Sequence, residues 1–168
     1  MLLEEKNENK LGNTMSGNYW LLKSEPESFS IQDLANAPQQ TTCWDGVRNY
    51  QARNMLRDLI QPGDLAFFYH SNAKPPGIVG IAKVVKKGYP DPSQFDKKSK
   101  YFDASATREK PRWYSVDIQL DRVFNDLIAL DTLKNIRSLS KMILLNRSRL
   151  SVQPVSKEEW TVITKLVH

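Results

Sequence analysis

Cys43-Trp44-Asp45-Gly46-Val47-Arg48-Asn49-Tyr50-Gln51-Ala52-Arg53 carries a change of structural period. Thr41 to Trp44 reads as a short strand and Asp45-Gly46 as a turn. A helix follows, with Ala52, Met55, Leu56 and Leu59 as one buried stripe. On this reading Arg48, Asn49 and Tyr50 are exposed in its first turn. A cation, an amide and a ring then stand beside unpaired backbone N–H groups, which favour polar or anionic ligands. Trp44 has two readings, a core ring or a stacking face, and Arg48 and Asn49 equally read as a solvated helix start.

Upstream, Asn18 to Lys23 is aromatic and apolar enough for a buried strand, ended by Ser24-Glu25-Pro26. Ser24 and Glu25 either line a pocket or make a turn. Ser30 and Asp33 predict a capped short helix, with Phe29 stapled to Leu34 and Pro38 as its end. Downstream, Pro62-Gly63-Asp64 predicts a turn, Leu65 to His70 a central strand, and Ile78 to Val85 a strand bent at Gly80. Trp113 to Phe124 alternates as a half-buried strand, and Leu130 to Ile136 suggests a short helix. Val152 to Val155 reads as an edge strand. Ser156 and Glu159 then cap a last helix with Trp160, Ile163, Thr164 and Val167 as its buried stripe. Strands at short spacing with helices between them predict one α+β domain over 18–168 with a small barrel-like sheet. Residues 1–17 read as a disordered tail.

The 168 residues include 40% hydrophobic and 26% charged side chains, an ordinary balance for a globular domain. No apolar run suits a membrane span, and residues 1–17 hold no secretory h-region, so a cytoplasmic, nucleoid-associated or nuclear location is expected. A single cysteine, Cys43, excludes an internal disulfide and reads as a buried structural thiol. No Cys/His pair has ligand spacing, so no metal or cofactor is expected. The net charge of +5 is localised: residues 83–112 hold nine Lys/Arg against four acids, and the rest of the chain balances. Such a segment suits a polyanion, with Lys97, Lys98, Lys100, Arg108, Lys110 and Arg112 as backbone contacts, or it is a solvated mobile loop.

Phosphate-loop, HExxH and GxSxG motifs are missing. Lys23, Ser24, Glu25, Asp45, His70 and Ser71 compose a hydrolase on paper, as sets in any chain of this size do. The sequence offers rings near strand ends instead. Trp20, Trp44, Tyr50, Tyr69 and Trp113 lie near Lys23, Ser24, Glu25, Arg48, Asn49, Ser71 and Asn72. Aromatic faces stack on an unstacked base for about 1–3 kcal/mol each, while polar groups read its edge. The pattern describes a reader of one extruded nucleobase, although some of these rings must be core.

Four blocks, Tyr19 to Pro26, Trp44 to Arg53, Gly63 to Asn72 and Trp113 to Asp117, resemble those of the EVE domain in order and spacing. The resemblance covers about residues 18–167. It implies a PUA-like small mixed β-barrel with flanking helices, related to the YTH readers of methylated adenine. It also implies a pocket for a modified base, with modified cytosine in DNA favoured and RNA possible. Carried over by position, that pocket consists of Lys23, Ser24, Glu25, Trp44, Arg48, Asn49, Tyr50, His70, Ser71 and Trp113. The loop at 95–110 matches less clearly, so its contact with nucleic acid rests on charge. The rival readings are a PUA-like hydrolase acting on modified nucleosides and an RNA-binding module.

Overall fold

The computed structural model describes residues 17–147 and 149–167. The expected N-terminal tail falls on residues 1–16, outside the described residues, and on Gly17. Six strands form one mixed sheet: β1 (Tyr19–Ser24), β2 (Thr41–Cys43), β3 (Leu65–His70), β4 (Gly77–Pro90), β5 (Tyr114–Ala129) and β6 (Val152–Val155). Their order is β2-β5-β4-β3-β1-β6. Only β1 and β3 are parallel; the other neighbours are antiparallel. The sheet is open, with β2 and β6 at its edges, so the expected closed barrel is not present in the strand pairing.

Strands β4 and β5 run well past the ends expected for them, and four register shifts bend their pairing. One bend lies at Gly80, where a Cβ would come within 2.3 Å of both the Arg122 carbonyl oxygen and Ile31 Cδ1. The glycine lets β5 and the helix beginning at Ile31 approach together.

Both faces of the sheet are covered, which explains its continuous apolar runs. Trp20 and Leu22 of β1, with Ala66 and Phe68 of β3, face a core shared with Trp44, Val47 and Leu56. Their neighbours Leu21, Phe67 and Tyr69 face a second core with Ile78, Phe124, Trp160 and Ile163. Trp20 and Tyr69 are thus core rings. Trp20 donates its indole N–H to buried Asp64 at 2.9 Å, at the end of the sheet away from Ser24.

The short helices are α1 (Ile31–Asn36), α2 (Tyr50–Asn54), α3 (Leu130–Lys134), α4 (Ile143–Asn146) and α5 (Lys157–Thr164). Both expected capping boxes are present, Ser30 with Asp33 and Ser156 with Glu159. The helix after Asn49 departs from its expected stripe. Its second half, Met55–Leu59, is a π-turn, and the extra residue turns Leu59 outward, 55% exposed, while Ile60 takes the buried place.

Candidate functional site

In-register parallel pairing of β1 with β3 sets Lys23 beside Tyr69 and Ser24 beside His70. The carboxyl ends of both strands therefore open at one edge, where open sheets with parallel strands commonly bind ligands. The β2–α2 connection, the 91–112 loop and the segment leading into β6 complete the walls. The resulting open cavity, of about 700 Å³, has Lys23, Ser24, Glu25, Trp44, Asp45, Arg48, Asn49, Ser71, Lys100, Tyr101, Arg149 and Ser151 among its lining. That volume lies in the range of small-molecule pockets.

Trp44 reconciles its two readings. It is 7% exposed, stands edge-on to Phe68 at 5.4 Å and to Phe29 at 6.3 Å, and still lines the cavity. Ser24 and Glu25 also do both jobs. Ser24 Oγ donates to the Phe29 carbonyl at 2.6 Å, and the Glu25 carbonyl accepts from the Ser28 and Phe29 amides, closing the turn at the cavity wall.

Arg48 is not the exposed first-turn cation expected from the sequence. Asn49 is the N-cap, accepting from the Ala52 amide at 3.0 Å, and α2 begins only at Tyr50. The Arg48 side chain is half-buried and ion-paired with fully buried Asp91 at 2.9 Å. It also donates to the Val47 and Tyr101 carbonyls and to Ser93 Oγ. Asp91 accepts further bonds from the Gly46 amide and from the Ser93 amide and hydroxyl. A buried carboxylate tolerates desolvation only when so satisfied. Gly46 adopts φ +79, and a Cβ there would lie 2.6 Å from the Tyr101 ring, so glycine lets that ring close down on the turn.

The same contacts tie the 91–112 part of the basic segment to the fold. Gln94, fully buried, donates to the Asp91 and Trp113 carbonyls and accepts from the Arg112 and Trp113 amides. Its amide closes both ends of the loop. Lys97, Lys98, Lys100, Arg108 and Lys110 nevertheless remain exposed on it. Lys100 reaches the cavity, and Arg108 lies over the Phe95 ring. Arg112 is partly spent on Asp103, Ser105 and the Tyr50 hydroxyl.

Residues 18–166 match the EVE domain. The chain belongs to the EVE domain family. It is 49% identical to thymocyte nuclear protein 1 of Rattus norvegicus over 166 residues, covering 89% of this chain and 73% of the relative. The structure of a hypothetical protein from Leishmania major superposes with a TM-score of 0.85 at 50% identity, covering 89% of this chain and 93% of that one. A crystal structure of human THYN1 protein in complex with DNA containing 5-methylcytosine gives 0.84 at 46% identity, covering 89% and 96%.

Within this EVE domain, seven of the ten expected pocket residues line the cavity: Lys23, Ser24, Glu25, Trp44, Arg48, Asn49 and Ser71. Tyr50, His70 and Trp113 are not among its lining residues. The Tyr50 and Trp113 rings stack on each other at 4.9 Å and 24°, outside it. His70 Nε2 accepts the Ile31 amide hydrogen at 3.1 Å, so this histidine anchors α1, and burial lowers its pKa. Tyr101, Arg149 and Ser151 join the lining without being among the expected pocket residues. An aromatic within a basic loop was a usable signal for Tyr101. None existed for Arg149 and Ser151, which arrive because β6 pairs with β1 and the Ser151 carbonyl accepts the Lys23 amide hydrogen.

Local electrostatics favour a polar ligand. Burial lowers the Lys23 pKa. Burial, then the Asp91 charge, raises that of Asp45. Cys43 is a half-buried thiol at the cavity wall rather than a core residue, and burial raises its pKa. That is the opposite of the shift that activates a thiolate nucleophile.

Proposed function

We propose that this EVE domain, acting as one module over residues 18–168, is a non-catalytic reader of modified cytosine in DNA. The observation that carries the reading is a cavity at strand ends in which Trp44 borders polar side chains from separate segments. The DNA complex of the 46%-identical human protein supports modified cytosine as its ligand class. An extruded base would stack against Trp44 and meet polar groups such as Ser24, Asp45 and Ser71, with Lys97, Lys98 and Lys100 near the phosphates. In this reading the bulged sheet curls as the barrel of the PUA-like group, and the protein works in the nucleus or nucleoid.

The test is fluorescence anisotropy with DNA carrying plain or 5-methylated cytosine at two salt concentrations. The wild-type chain is expected to keep its preference for the methylated base at the higher salt. Trp44→Ala should remove that preference, at a cost of about 1–3 kcal/mol in binding. A folded Trp44→Ala protein that discriminates as well as wild type would refute the pocket assignment.

A further inference from the structure

The cationic surface continues beyond the 83–112 segment. Arg53 of α2 lies outside that segment, yet the fold lays it against the segment's end. Its guanidinium stacks over the Tyr50 ring at 4.7 Å, and Tyr50 in turn stacks on Trp113. Nε and Nη2 both donate to Asn54 Oδ1, at 3.0 and 2.9 Å, and Nη1 donates to the Arg112 carbonyl at 3.0 Å.

Each of these partners is neutral. Among the described residues no carboxylate pairs with Arg53, whereas Arg57, one turn further along, is paired with Asp58 at 2.8 Å. Arg53 is thus held in a fixed plane without an ion-pair partner among the described residues. Three of the five N–H donors of a guanidinium are engaged, leaving two. Ring stacking and the Asn54 bonds have already restricted the rotamers, so an incoming anion meets a preorganised cation. Near the other end of the same short helix, Arg147 donates to Gln51 Oε1 at 3.1 Å and likewise has no carboxylate partner among the described residues. Asn49, the N-cap of the same helix, is a wall of the cavity.

We propose that Arg53, with Arg147, holds backbone phosphates of the strand whose base occupies the cavity, so that the nucleic acid crosses α2 as well as the 91–112 loop. This rests on the cavity being the base site. Phosphate is the fitting anion: the planar fork of a guanidinium meets two of its oxygens with paired N–H bonds, and it carries no sequence information.

The experiment measures affinity of the full chain for plain and methylated DNA across a salt series, for wild type, Arg53→Gln, Arg147→Gln and Arg57→Gln, with folding checked by thermal melting. Arg53→Gln should weaken binding to both DNAs by the same factor and reduce the salt slope by about 0.9, one phosphate contact. Arg147→Gln should do the same. Arg57→Gln, whose charge is already answered by Asp58, should leave the slope nearly unchanged. The proposal falls if Arg53→Gln and Arg147→Gln leave the slope unchanged, if all three variants act alike, or if Arg53→Gln lowers discrimination rather than overall affinity. Loss of the base-site reading shows differently, as a wild-type protein with no preference for the methylated base.

Discussion

Two tryptophan clusters sit on opposite faces of one sheet, and they differ in what surrounds them. On one face Trp160 stacks on Phe67 at 4.0 Å and on Tyr19 at 4.5 Å, inside an apolar layer closed by α5. On the other, Trp44 packs on Phe68 and Phe29 but has Ser24, Asp45 and Asn49 beside it around open space. Both tryptophans are less than a tenth exposed. Burial does not separate the structural ring from the candidate recognition ring. The polar groups at the open edge do.

The strongest way to break this contrast is to truncate the sealed cluster. Trp160→Ala should cost about 3–5 kcal/mol of stability, read from urea unfolding, while the surviving folded fraction keeps its discrimination between plain and methylated DNA. Lost discrimination in folded protein would mean that the two faces are coupled. Next comes the carboxylate beneath the open side. Asp91→Ala strands the Arg48 guanidinium and the Gly46 amide and should cost about 3 kcal/mol, with base preference lost alongside. A variant of unchanged stability would show that the Arg48–Asp91 pair does not hold the cavity wall.

Smaller effects sharpen the comparison. Neutralising Lys97 and Lys98 together should lower affinity equally for both DNAs and reduce the salt slope by about 1.8, leaving stability within about 0.5 kcal/mol. A selective loss for methylated DNA would move these lysines into the recognition site. The smallest expected effect is on acid stability. Bonds from Ser105 and then Trp113 hold the Asp103 pKa down to about 2. A carboxylate depressed in the folded state contributes above its ordinary unfolded value, and that contribution fades as pH falls toward about 2. Trp113 fluorescence in folded protein should therefore titrate with a midpoint near pH 2, and Asp103→Asn should abolish the change. An identical titration in the variant would remove Asp103 from the account.

What the sequence revealed follows the range of the forces involved. The capping boxes, β1, β3 and β6 rest on neighbours a few residues apart, and they stand where residue pattern puts them. Pairing of Arg48 with Asp91 spans 43 positions, so local patterning showed a cation at a helix start and nothing of the carboxylate that draws it in. Leu59 leaves the expected stripe because one π-turn breaks the helical period. Tyr50, His70 and Trp113 came with the right blocks, but ring-on-ring stacking and a backbone bond use them beside the cavity instead. Arg53 escaped because its own segment is electrically ordinary; only the fold lays it against the basic loop.

Gln94 and Asp91 also govern what can vary. They fasten the loop near its ends, while Ser105 and the run from Thr107 to Lys110 face outward. Insertions or deletions at that tip would leave both fastenings in place. On the proposed reading, loop length is then a dial for how far the footprint would extend along a strand, adjustable by evolution or by design without altering the base cavity.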